Sequence, residues 1–157
     1  MHGRDIDQFD LAILRALQRD GSLTNAALAE TVCLSASQVS RRRAALEADG
    51  IIEGYRARLD AGALGYGLRA ITRVNLAAHS AHSNETFSTF VRGKPQVRSA
   101  YSVSGDADYI LHIHVRDLEA FADFVHRHLL PHPDVQHVRS EIVLTTLKEE
   151  EGLPLGD

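Results

Sequence analysis

Apolar residues at three- to four-residue steps open the chain: Ile6, Phe9, Ile13, Leu14 and Leu17 mark one face of a helix. Asp7 is placed to cap that helix and Asp20-Gly21 to stop it. A second, shorter helix is expected from Thr24 to about Val32, with Leu28, Ala29 and Val32 facing inward. A third begins after Cys33-Leu34. There Ser35-Ala36-Ser37-Gln38 fits a capping box, in which Ser35 accepts from the Gln38 backbone N–H and Gln38 reaches back. Val39 and Leu46 share its inner face, and Gly50 after Asp49 ends it. Residues 24–49 thus read as helix, tight turn, helix.

Beyond Gly50 the period changes. Residues 51–59 look extended, and residues 60–67, rich in Gly and Ala, look like a connection. The second half alternates types: a strand over 68–76, a helix over 84–91 stopped by Gly93-Lys94-Pro95, and a strand over 97–103. A turn at 105–107 would join that strand to another over 109–115. Asp117 would cap a helix carrying Leu118, Phe121, Val125 and Leu129 and stopped by Pro131, before a closing strand over 138–147. This βαββαβ order is the ferredoxin-like pattern. The fold class expected is α+β: a winged-helix-like helix-turn-helix domain over 1–60, a linker over 61–67, a ferredoxin-like domain over 68–148 and a polar, frayed tail over 149–157. With both helices on one face, apolar groups such as Ile110 and Val143 on the other need a cover, which a second copy would supply.

With 157 residues, 44% of them hydrophobic, the chain is long enough for two small domains and too apolar to be disordered. A formal charge of −4 excludes a generally basic coat for nucleic acid, so any such contact needs a local patch. The lone Cys33 excludes an intrachain disulfide framework and a cysteine zinc cluster. No secretory signal or membrane-length apolar run is visible, so a cytoplasmic protein without membrane contact is expected.

Such a patch exists on the third helix: Ser35, Ser37, Gln38, Ser40, Arg41, Arg42 and Arg43. In a helix-turn-helix the second helix enters the major groove with its N-terminal part leading. Gln38 can bond adenine bidentately, arginine can pair with guanine or phosphate, and serine hydroxyls suit phosphate. Arg56 and Arg58 could add backbone contacts. Three adjacent arginines can equally be a solvated face; the capping box and the short preceding helix favour double-stranded operator DNA. Arg43 falls on the expected inner face, where it either snorkels at the core edge or swings toward phosphate.

At this point the chain resembles the Lrp/AsnC (feast/famine) transcription regulators over about residues 5–150. The resemblance rests on Ile6-Asp7, Asp10, Ile13-Leu14, Leu17, Asp20-Gly21, Leu28-Ala29, Leu34-Ser35, Arg41-Arg42, Leu46-Glu47, Gly50-Ile51-Ile52 and Gly54-Tyr55 in the first half. In the second it rests on Ser104-Gly105-Asp106-Ala107-Asp108-Tyr109 and on Val135, Ser140, Ile142-Val143-Leu144 and Lys148. Two departures are Cys33, where Gly is common, and Arg43, where an aliphatic residue is usual. The resemblance implies a transcriptional regulator, a dimer or a ring of four dimers, with a small effector, typically an amino acid, bound between C-terminal domains. It implies that Gly105, Asp106 and Asp108 line that site, with Tyr101 and Ser140 as neighbours. A carboxylate there could hold an α-ammonium and turn N–H groups an α-carboxylate; an ordinary hairpin turn is the plain alternative.

Eight of nine histidines lie after residue 78. His112 and His114 share one strand face, and His126 and His128 lie near a helix end, but nothing supplies a third ligand, so no metal is expected. No cofactor is expected, and no P-loop, nucleophile elbow or dinucleotide fingerprint is present, so no catalytic residue is named. Two other readings stand beside the regulator: a tetrapyrrole decarboxylase, which resembles the same architecture and uses histidines and arginines of the second half, and a metabolite-binding module without DNA binding.

Overall fold

The computed structural model describes residues 5–77, 80–149 and 152–156. The chain divides into two compact units, Met1–Arg58 with Lys148–Asp157, and Leu59–Leu147. The connection expected at 61–67 therefore groups with the second unit, and the C-terminal tail with the first.

In the first unit, α1 (Gln8–Arg19), α2 (Asn25–Val32) and α3 (Ala36–Ala48) each begin at a side-chain cap. Asp7 accepts from the N–H groups of Phe9 and Asp10, Thr24 from Ala27, and Ser35 from Gln38. Their inner faces meet in a core where Ile13, Leu28, Val39 and Leu46 have no exposure. Burying each such side chain contributes about 1.5–3 kcal/mol, which holds three helices too short to persist alone. Residues 51–59, expected to be extended, form no β-ladder. The tail was expected to fray; among its described residues, Leu153 exchanges two hydrogen bonds with Gln18 of α1 (2.8 and 3.0 Å) and the Leu155 carbonyl accepts from Arg15. Residues 150 and 151 lie outside the described residues.

The second unit contains β1 (Leu68–Leu76), α4 (Ala81–Arg92), β2 (Val97–Ser102), β3 (Tyr109–Val115), α5 (Leu118–Phe124) and β4 (Val135–Ile142). The sheet is antiparallel, in the order β2-β3-β1-β4, the arrangement of a ferredoxin-like βαββαβ fold. One face packs Ala70, Val74, Leu76, Leu111, Ile113 and Val115 against Phe87, Val91, Phe121 and Phe124 of the helices. The opposite face carries half-buried Ile71, Ile110, His112 and His114.

Several boundaries differ from the sequence pattern. The first helix of this unit starts earlier, at Ala81, because Ser80 caps it through the Ser83 N–H (3.0 Å). The helix capped by Asp117 gives way at Val125–Leu129 to a π-helical turn, and Leu118, expected inward, is 60% exposed while Phe124 is buried. The closing strand lies at Val135–Ile142, not 138–147. Pairing with β1 stops at Ala70–Ile142, apart from a last bond from Val143 N–H to the Arg69 carbonyl, although β1 itself begins at Leu68; Leu144 is 92% exposed.

Cys33 ends α2 in the left-handed region, φ 55°, where a β-carbon costs roughly 1–2 kcal/mol. Glycine removes that cost but gives back about 0.5–1 kcal/mol through unfolded-state freedom. Cys33→Gly should therefore stabilise the first unit by roughly 0.5–1 kcal/mol in urea denaturation, from the difference of those two terms, whereas Cys33→Val should destabilise it.

Candidate nucleic-acid interface and effector turn

The capping box on α3 is closed in both directions: Ser35 Oγ accepts from the Gln38 N–H (3.2 Å), and Gln38 Oε1 accepts from the Ser35 N–H (3.0 Å) and hydroxyl (2.9 Å). Ser37 Oγ lies 3.1 Å from Ser35 Oγ. The exposed side of the helix is then Ala36, Ser37, Ser40, Arg41 and Ala44, short side chains around a single long cation.

The three adjacent arginines do not share that side. Consecutive helical residues are about 100° apart, so the triplet must diverge. Arg41 is exposed and has no partner among the described residues. Arg42 turns toward α1, where one guanidinium nitrogen lies 2.8 Å from both Asp7 Oδ2 and Asp10 Oδ1. The Asp10 side chain is only 2% exposed. Arg43 turns the other way: it donates to the Leu23 carbonyl (3.1 Å), the Tyr55 hydroxyl (2.9 Å) and Glu47 (3.2 Å), and its guanidinium lies 4.7 Å from the Tyr55 ring centre. The inward alternative raised for Arg43 is the one the structure adopts.

In the second unit the β2–β3 turn brings Gly105, Asp106 and Asp108 together. Gly105 adopts φ 126°, and nothing stands within 4 Å of where a β-carbon would be, so glycine is required here by backbone conformation and not by crowding. Asn75 Nδ2 donates to the Asp106 carbonyl (2.7 Å), Asp108 Oδ2 accepts from the Leu76 N–H (2.8 Å), and Asp108 N–H donates to the Val74 carbonyl (3.1 Å). The turn is thereby anchored to the end of β1, with the Asp106 side chain exposed. Tyr101 and Ser140 are not brought to it together. Tyr101 packs on His112 across the open sheet face, while Ser140, on the opposite edge strand, bonds Thr72 Oγ1 (2.9 Å). Among the described residues no three His, Cys, Asp or Glu side chains converge as a metal site would need, and no helix is long and apolar enough to cross a membrane.

Residues 6–53 match a family model described as winged helix-turn-helix DNA-binding, and residues 69–153 match the Lrp/AsnC ligand binding domain. A leucine-responsive regulatory protein of Rhizobium meliloti is 40% identical over 145 residues, covering 92% of this chain and 93% of that protein. The chain belongs to the Lrp/AsnC family of DNA-binding transcriptional regulators. The regulator is also 33% identical to AldR of Mycolicibacterium smegmatis over 94% of its own length and 86% of that protein. Its fold superposes on a Neisseria meningitidis regulator crystallised with L-Met at a TM-score of 0.93 and 38% identity, covering 96% of this chain and 97% of that one.

Sequence reading missed the second partner of Arg42 and the role of Asn75, because both contacts join positions more than 30 residues apart. Asp7 could be read as a cap, but not as half of an ion pair. Electrostatically, the Asp10 N–H and then Arg42 hold the Asp7 carboxyl below its ordinary pKa. Bonds from Tyr55 and then Arg43 do the same for Glu47. Hydrogen bonds to Asp10 and Asp7 raise Arg42. A carboxylate with a lowered folded pKa stabilises the fold above its unfolded pKa, and that contribution is lost as pH falls through the folded value. The regulator's first unit should therefore lose stability below roughly pH 4, the ordinary carboxylate range. Arg42→Ala should cost about 1–3 kcal/mol at pH 7, because the buried Asp10 loses a charged hydrogen-bond donor. The share of that difference carried by Asp7, whose carboxyl is held below its ordinary range, should fade in urea titrations as acid protonates it.

Proposed function

We propose that the regulator reads operator DNA with the N-terminal half of α3, through Ser37, Ser40 and Arg41, while Arg42 and Arg43 hold that helix in place. The observation that carries this reading is the division of the triplet: one arginine is left exposed beside small hydroxyl side chains that let the helix approach base edges. Ser35 keeps the helix N-terminus capped for a phosphate. Gln38 has its oxygen in the capping box, so it offers its Nε2 donor to a base; a bidentate adenine contact requires opening the box.

The effector in this reading is an amino acid at the Gly105–Asp108 turn, its ammonium held by the exposed Asp106 carboxylate. Asp108, one of whose oxygens bonds the Leu76 N–H, shapes the turn. The cognate regulator bound to L-Met supports the ligand class. Tyr101 and Ser140 reach such a site only if a second copy supplies one of them. A second copy is also the natural cover for the sheet face bearing Ile71 and Ile110. The chain then works in the cytoplasm as a dimer or higher assembly, with residues 1–60 and 68–148 as its reading and sensing domains.

DNA fragments selected from a random pool test the first half. Arg41→Ala should weaken binding and make the slope of log K against log salt shallower by about one. Arg42→Ala should leave that slope unchanged at temperatures where it is folded. An unaltered slope in Arg41→Ala overturns the docking. For the second half, an amino-acid screen by thermal shift should lose its response in Asp106→Ala with basal DNA affinity intact; an identical response in variant and wild type places the effector elsewhere.

A further inference from the structure

A groove of about 410 Å3 runs between α4 and the edge strand β2, with Ser102 and Tyr109 at the end that borders the turn. Its floor is apolar, from Phe87 and Val91, both buried, and half-buried Val97. Its rim carries Arg92 from the last turn of α4, and Arg98 and Ser99 from β2. No carboxylate lines it. From residue 86 through 105 the chain holds Arg92, Lys94 and Arg98 and no Asp or Glu, although the whole chain has a net charge of −4. Arg73, Arg127 and Arg139 of the same unit each face a carboxylate within 4.0 Å. Arg92 and Arg98 have no partner among the described residues, and both are exposed.

Two unpaired guanidinium groups over an apolar floor select an anion with an apolar body. The guanidinium fork matches a carboxylate, and the volume falls in the range of about 300–1,000 Å3 that small-molecule sites occupy. With no acidic side chain lining the groove, an α-ammonium group would meet only like charge. We propose that the α4–β2 groove is a second ligand site, for a small organic monocarboxylate that lacks an ammonium group, such as a branched or aromatic 2-oxo acid. Its carboxylate sits between Arg92 and Arg98 and its body lies on Phe87 and Val91. This site is distinct in chemistry from the turn at Asp106, which offers a negative charge. The two are joined by β2, which forms the groove wall and ends at Ser102, where the turn begins.

Isothermal titration of the full chain with 4-methyl-2-oxopentanoate, its amino-acid counterpart leucine, and phenylpyruvate tests the assignment. The oxo acids should bind saturably, and Arg92→Gln and Arg98→Gln should each weaken them about tenfold, as expected when a charge-assisted bond is lost. Asp106→Ala should leave oxo-acid binding unchanged, even if leucine binding is lost. Both arginines are exposed, so the variants should keep the wild-type melting profile. Absence of oxo-acid binding up to about 10 mM, a weak-affinity limit of roughly 3 kcal/mol, overturns the proposal. So does equal affinity in the arginine variants, or loss of oxo-acid binding in Asp106→Ala. If the arginine variants instead flatten the salt dependence of DNA binding, with no oxo-acid binding, the groove is part of a nucleic-acid surface and the proposal fails.

Discussion

Asp10 sits almost fully inside a three-helix unit, and a carboxylate in that position needs a compensating charge. Arg42 supplies it, and the same guanidinium nitrogen also reaches Asp7, the residue that caps α1. One side chain therefore settles two matters at once: how α1 begins, and how α3 is rotated about its own axis. With Arg42 turned to α1, geometry leaves Arg41 pointing outward and sends Arg43 to the α1–α2 connection and Tyr55.

Local signals in the chain were legible wherever the physics is local. The caps at Asp7, Ser35 and Asp117 lie within three residues of the N–H groups they satisfy, and each is found as read. The strand over Leu68–Leu76 has its expected limits, since alternation there matches a sheet with one buried face. The closing strand is displaced because alternation through Val138, Ser140, Ile142 and Leu144 does not encode where pairing stops: the ladder ends at Ala70–Ile142, short of the end of β1 at Leu68.

The site residues show the same limit more sharply. Adjacency in sequence suggests one arginine surface, but a helix separates neighbours by about 100°, and partners on other elements, the buried Asp10 among them, decide which neighbour stays outside. Tyr101 and Ser140 looked like companions of the Gly105 turn. Sheet order, which no local pattern encodes, puts them on opposite edge strands. The Ser80 cap lengthens α4 beyond its apolar pattern, because its partner Ser83 is polar yet buried in the helix.

The anchoring of the β2–β3 turn has a consequence for how such a sensor can be altered. Its Asn75 fastening lies where the β1–β4 register shifts, between Asn75 and Leu76. Transplanting the hexapeptide 103–108 into a foreign hairpin would leave behind the amide and the two main-chain groups that shape it. Deleting one residue from β1 would aim the Asn75 position at the wrong side of the sheet. The turn is thus portable only as a pair of non-adjacent segments, and it tolerates exchange of its exposed side chains far more readily than a change in its length.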